Sequence, residues 1–202
     1  MNDLSEFIMH SGGAVGSDFV WMKLGKYYGV KEFRHYYHGE PTPFGNILIS
    51  DEDFEEGKSE VYKANNVLER RPWKYMDLLA RNWSQVKYSD SIFAIGYVDK
   101  SGTQVTGGTG WAVQMAINNK KPVFTYDQND RQWFYYDYDC NMFREHHDEI
   151  ILTKNFAGIG TRGLLYSGGK AIQKVYEDTI EHLKSMAVSE RSEEHTSELQ
   201  SQ

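Results

Sequence analysis

The sequence predicts one α/β domain built on a mainly parallel, doubly wound sheet. Two patterns carry that expectation. Apolar strand-type runs alternate along the chain with amphipathic helix-type runs, and three of the strand-type runs end in glycine turns. Alternating strands and helices imply parallel strands joined by crossover helices, with both faces of the sheet covered. At 202 residues the chain suffices for a single domain with one sizeable core, expected over residues 1–188.

Glu6 to His10 reads as a short buried strand closed by Ser11-Gly12-Gly13. From Gly16 to Tyr28, the spacing of Phe19, Val20, Met22, Leu24 and Tyr27 suits a helix packed on a sheet. Val30 to Tyr37 alternates as a second strand, and Pro41 to Asp53, broken by Pro41, Pro43 and Gly45, reads as a loop. Lys58 to Lys87 is largely helical, with a break before Pro72, because proline disfavours α conformation in the residue before it. Asp90 to Ile95 is a central strand, Thr109 to Asn119 a helix, and Pro122 to Asp127 another strand. The aromatic run Gln132 to Tyr138 fits an extra strand or a lid. Ile150 to Ala157 is the last strand expected, and Gly168 to Lys184 a long closing helix.

The end of the chain is of another kind. Arg191 to Ser201 looks like the translation of a sequencing adapter, so residues 189–202 are expected to be a disordered tail outside the domain. The stretch Arg191 to Ser201 carries one Arg and three Glu, two of the seven net negative charges.

Composition excludes several classes. A formal charge of -7 argues against nonspecific nucleic-acid binding, which needs a basic surface to release counterions, though a local pocket of Arg81, Arg162 or Lys154 stays open. Cys140 is the only cysteine, which rules out an intrachain disulfide and suits a reducing compartment. Met1 to Leu4 show no charged and apolar leader pattern, and no apolar run approaches the ~20 residues of a spanning helix. A cytoplasmic protein with no membrane contact is expected.

Chemistry is concentrated in the three glycine turns. They are Ser11-Gly12-Gly13-Ala14-Val15-Gly16-Ser17-Asp18, then Gly107-Gly108-Thr109-Gly110-Trp111-Ala112-Val113-Gln114, then Ala157-Gly158-Ile159-Gly160-Thr161-Arg162. A glycine cluster between strand and helix lets backbone N–H groups converge on an anion at the positive end of the helix. Turns alone also demand glycine, so a single one of these says little. Three at the carboxyl ends of parallel strands would share one crevice, and phosphate is the anion such crevices usually take. Asp18 falls in a first helical turn, as a cap or as the acceptor for a ribose hydroxyl.

Together the segments Ser11 to Asp18, Gly107 to Gln114 and Phe156 to Arg162 resemble the SLOG group of Rossmann-like nucleotide-binding domains. That group includes the cytokinin-activating phosphoribohydrolases, lysine-decarboxylase-like proteins and DNA-processing proteins. Small phage and bacterial proteins carry similar loops. The resemblance spans most of residues 5–185. It departs in order, since the Phe156 to Arg162 turn resembles the group's first strand and turn yet comes last here. A circular permutation, with Lys170 to Lys184 as the displaced first helix, would account for that.

The phosphoribohydrolases cleave the N-glycosidic bond of a nucleoside monophosphate with an arginine and a glutamate. Arg81, nine residues before Asp90, stands where the resemblance places the arginine. Gln114 stands where it places the glutamate, and Trp111 where it places a threonine. A neutral amide cannot stabilise an oxocarbenium-like centre or exchange a proton with water. Trp111 offers a flat face to a base or belongs to the core, Arg81 is a ligand contact or a surface ion pair, and Gln114 is a site residue or an ordinary helix residue.

The resulting expectation is a nucleotide or ADP-ribose-type ligand bound without efficient turnover, by a sensor or a sequestering protein. A phage protein acting on a nucleotide immune signal in the host cytoplasm is one version. Gly12, Gly13, Gly107, Gly108, Gly110, Gly158 and Gly160 would cradle phosphates, Thr109, Thr161, Arg81 and Arg162 would donate, Asp18 would meet a ribose, and Trp111 would stack. The enzyme alternative is an N-glycosidase in which Asp18 or Glu145 replaces the missing carboxylate. Single-stranded DNA binding is the third reading.

No cofactor and no metal are expected. His146-His147-Asp148-Glu149 lacks zinc spacing, Asp127, Asp137 and Asp139 read as solvated charges, and Cys140 has no neighbour to activate it. Trp133 to Tyr136 suggests an interface, and the resemblance implies a homo-oligomer.

Overall fold

In the computed structural model, which describes residues 4–201, one eight-stranded sheet is sandwiched between helices. The chain runs β1 (Ile8–Ser11), α1 (Ser17–Tyr27), β2 (Glu32–Tyr37), β3 (Ile47–Leu48), α2 (Asp51–Leu68), a 3-10 turn (Trp73–Tyr75) and α3 (Met76–Lys87). It continues with β4 (Ser91–Gly96), α4 (Thr109–Asn118), β5 (Val123–Asp127), β6 (Gln132–Asp137), β7 (Met142–Glu145), β8 (Asn155–Gly160) and α5 (Tyr166–Gln200). The α/β class and the mainly parallel sheet expected from the sequence are what the chain forms.

The strand order is β3-β2-β1-β8-β4-β5-β6-β7. Strands β1 to β5 and β8 make only parallel pairs with one another, and β6 and β7 add an antiparallel edge beyond β5. Counted from β8 instead of β1, the central five strands fall in the order 3-2-1-4-5, the doubly wound arrangement. The helices follow suit. One core layer joins α1 and α5 to the sheet, through Trp21, Met22, Ile172, Val175 and Tyr176, and the other joins α2, α3 and α4 through Val61, Ala64, Trp83, Val113 and Ala116.

Strand β4 shows why these residues make a central strand. All six are buried, with Ile92 and Ala94 in one core layer and Phe93 and Ile95 in the other. That is the period-2 alternation of a strand covered on both faces. Phe93 stacks on Phe124 at 5.4 Å and meets the edge of Phe156 at 6.4 Å. On the same side Tyr176 donates from its hydroxyl to the Trp21 carbonyl at 2.6 Å, and Trp21 donates from Nε1 to the Ile159 carbonyl at 3.2 Å, tying α5, α1 and β8 together. On the other, the Lys121 ammonium donates to the carbonyls of Val86, Lys87 and Ser89, closing the end of α3 just before β4 begins.

Four segments differ from expectation. Residues 41–53 hold the short β3 and the start of α2, where Ser50 Oγ accepts from the Asp53 N–H and Asp51, Glu52 and Asp53 fill the first turn. That is a capping pattern rather than loop polarity. The last strand is Asn155–Gly160, later than expected, while Ile150 and Leu152 are buried in irregular chain. An apolar run reports burial, which a ladder partner is not needed to provide. Strand β7, carrying buried Phe143, forms where the sequence suggests no element, and the aromatics of β6 are half-buried along it.

Helix α5 continues to Gln200, with every residue from Val188 to Ser201 exposed, where the sequence suggests a disordered tail. Only local bonds such as Ser192 Oγ to the Val188 carbonyl accompany that stretch. Residues 1–3, part of the leader argument, and residue 202 lie outside the described residues. Among the described residues, no helix is long and apolar enough to cross a membrane.

Replacing Phe93 by Ala should cost about 3–5 kcal/mol, the range for emptying a fully buried aromatic site. Urea unfolding of the variant checks this, and a loss below 1 kcal/mol would contradict the packing described.

Candidate functional site

The parallel neighbours β1, β8 and β4 place three chain ends side by side at the carboxyl edge of the sheet. α1 and α5 cover one face there and α4 the other, so this is the point where the winding reverses. A cleft of about 300 Å³ opens between the turns, walled by Gly12 and Ala14 after β1, Gly96 and Tyr97 after β4, and Gly160 to Arg162 after β8. The Thr106 to Thr109 turn at the start of α4 forms the opposite wall.

The third wall is α3. Leu78, Arg81, Asn82 and Gln85 line the cleft, spaced i, i+3, i+4 and i+7 along one face of the helix. Leu79, Trp83 and Val86 form the adjoining stripe and enter the core. Asn82 and Gln85 were not singled out from sequence, although a polar stripe beside an apolar one on a buried helix is a legible signal.

The α4 turn is built for close approach. Gly108 precedes Thr109 without any side-chain cap, so the positive end of the helix is open. No atom lies within 4 Å of where a Cβ would stand on Gly107 or Gly108, and Gly107 has a φ of +68°, which L side chains rarely adopt. Arg70 braces this turn from outside, donating from Nη1 to the Gly107 carbonyl at 2.7 Å and from Nη2 to the Val105 carbonyl at 3.0 Å. Its guanidinium also sits 5.9 Å from the Trp111 ring centre.

Charge in the cleft is unbalanced. Asp18 is the only carboxylate among the described lining residues, against Arg81 and Arg162. Burial raises the Asp18 pKa to about 6, only partly offset by the Ala14 N–H that donates to Oδ2 at 3.2 Å, by Ser11 and by the Arg81 charge. Burial also pushes Arg81 below the usual arginine value; Asp18 pulls it back and the Arg162 charge depresses it further. Arg81 Nε is buried with no acceptor among the described residues. One Arg81 amino nitrogen comes within 3.7 Å of the Cβ position of Gly12, so the guanidinium faces the first glycine turn.

The sequence-derived residues thus divide. Gly12, Asp18, Arg81, Gly107, Gly108, Thr109, Gly160, Thr161 and Arg162 line the cleft. Gly13 lies behind it against His35, Gly110 packs its backbone on Val105, and Gly158 sits under the Trp21 indole. Trp111 is 5% exposed, packed in the core with one side toward an adjoining hollow. Gln114 is buried and donates to Asn118 Oδ1 at 2.9 Å, outside the cleft.

The remaining candidates have local partners. Asp127 accepts from the N–H groups of Val98, Asn129 and Asp130. Asp137 pairs with Arg144, Arg144 also reaches the exposed Cys140, and Glu145 pairs with His147 on the far edge. Among the described residues no three His, Cys, Asp or Glu side chains converge as metal ligands.

Two measurements check this geometry. Folded Asp18 holds its proton more tightly than unfolded Asp, so its contribution is present below pH 3.8 and lost as pH rises through about 6. Asp18→Asn should therefore gain stability over the parent, on the order of 3 kcal/mol, between pH 4 and pH 7; parallel curves would contradict the burial. Gly108, at φ -63° and ψ -34°, already has helical geometry. Gly108→Ala should keep or raise stability by about 0.4–1 kcal/mol, whereas Gly110→Ala, whose Cβ would fall 2.0 Å from the Val105 carbonyl oxygen, should lower it measurably.

No protein-family model, no curated protein and no solved structure matches the chain.

Proposed function

We propose that this cleft binds a nucleotide-type small molecule, with its phosphate on the Gly107-Gly108-Thr109 turn and the open end of α4, and does not turn it over efficiently. One observation carries the reading. Arg81 is partly withdrawn from water, its Nε lacks an acceptor among the described residues, and it faces bare glycine backbone across a cleft with a second arginine. A phosphate dianion would satisfy the guanidinium, offset the repulsion from Arg162 and meet the helix end at once. Asp18 is suited to accept from a ribose hydroxyl in its ionised form.

The strand order counted from β8 supports the further proposal that the chain is a circularly permuted SLOG-like domain, with α5 in the place of the first helix. A protein of this kind would act as a sensor or as a sink for a nucleotide signal. Gln114, outside the cleft, leaves it with no carboxylate at the position where the phosphoribohydrolases carry theirs.

Asp18 favours one second reading, hydrolysis of an N-glycosidic bond. A buried carboxyl whose pKa is near 6 can exchange a proton close to neutral pH. Incubation with nucleoside monophosphates and cyclic ADP-ribose species, followed by chromatography, separates the two. Intact ligand recovered after denaturation supports binding, and free base that disappears in Asp18→Asn supports catalysis.

By calorimetry, Arg81→Ala should weaken nucleoside monophosphate binding at least about tenfold, the usual scale for one charge-assisted contact. Gly108→Ala should weaken it without destabilising the fold, because its methyl would intrude where the phosphate sits. Unchanged affinity in both variants would overturn the proposal.

A further inference from the structure

Beyond the cleft the groove continues. A second hollow of about 600 Å³ shares Leu78, Leu79, Gly107, Gly108 and Arg162 with the first and adds Arg70, Arg71, Tyr75 and Trp111. The bare backbone of Gly107 and Gly108 is therefore a low ridge between two compartments, reached from both sides. Arg70 is spent on the ridge itself, both of its amino groups donating to the carbonyls of that turn. Arg71 and Arg162 differ: both are exposed, and among the described residues neither makes an ion pair with any carboxylate. No Asp or Glu lines this hollow among the described residues. In a chain with seven net negative charges, two unpaired arginines beside an apolar floor of Leu78, Leu79 and Trp111 are a local reversal of sign.

We infer that cleft and hollow form one bipartite site for a nucleotide that carries a second anionic group, with the first phosphate on the α4 turn, the nucleoside crossing the Gly107–Gly108 ridge onto the apolar floor, and the second group held by Arg71. Arg162, common to both compartments, serves both anions. The inference rests on the nucleotide reading of the cleft and narrows its ligand class to bisphosphorylated nucleosides and dinucleotides. The volumes agree with it. The inner cleft, about 300 Å³, lies at the lower limit for small-molecule sites, and the hollow adds about 600 Å³ on the far side of the ridge.

Calorimetric titration with the four nucleoside 5′-monophosphates and the matching 3′,5′-bisphosphates tests this, using the full chain. For at least one base the bisphosphate should bind about tenfold or more tighter than its monophosphate, as one further charge-assisted pair would give. Arg71→Ala should abolish that preference while leaving monophosphate affinity unchanged, and Arg71→Lys should restore part of it. Arg81→Ala should weaken both ligands together. Equal affinity for mono- and bisphosphates, or a preference untouched by Arg71→Ala, overturns the bipartite site and leaves the cleft reading standing. Failure of every nucleotide to bind, with no response to Arg81→Ala, overturns both. Arg71 is exposed and makes no ion pair among the described residues, so its variants should fold as the parent does, which thermal unfolding verifies.

Discussion

Strand β8 is hydrogen-bonded along both edges, to β1 and to β4, and the rest of the molecule is arranged around that placement. Its insertion brings the turn after Gly160 between the turns after Ser11 and Gly96. Without it, β1 and β4 would have no shared neighbour and the cleft no floor. The same strand separates the α1/α5 layer from the α2/α3/α4 layer. A last strand in the central position also puts its ladder partners 147 residues away in β1 and 65 residues away in β4, the kind of long-range pairing that slows folding.

Around this frame, glycine has two separate jobs. Where the chain packs closely, as at Gly110 against the Val105 backbone or Gly158 under the Trp21 side chain, an added side chain would collide with the core. Where backbone borders the open cleft, as at Gly107 and Gly108, a side chain would meet nothing in the protein. The first kind fixes the loops in position. The second leaves an open wall, and Arg70 holds two of its carbonyls from behind.

The electrostatics follow from burial. An acidic protein has gathered Arg70, Arg71, Arg81 and Arg162 along one groove with Asp18 as its single lining carboxylate among the described residues. Low polarity raises the Asp18 pKa and depresses that of Arg81, so each favours its neutral form more than it would in water. A negative charge beside Arg81 would reverse the balance there. The net positive lining comes from geometry that gathers these groups more than from any one residue.

Much of this was legible in the sequence. The alternation of strand and helix patterns specified an α/β fold, because side-chain period and burial are local properties. The glycine turns, Arg81, Asp18 and Arg162 could be marked for the same reason. Period, however, tells which face of an element is buried and never which element lies against it. That β8 sits at the centre of the sheet, that Asn82 and Gln85 turn into the cleft while Gln114 turns away, and that Arg70 reaches across to carbonyls 35 and 37 residues on, depended on long-range packing. Residue types and their spacing determined what chemistry the chain could offer; only the tertiary contacts decided which of those groups share one cleft.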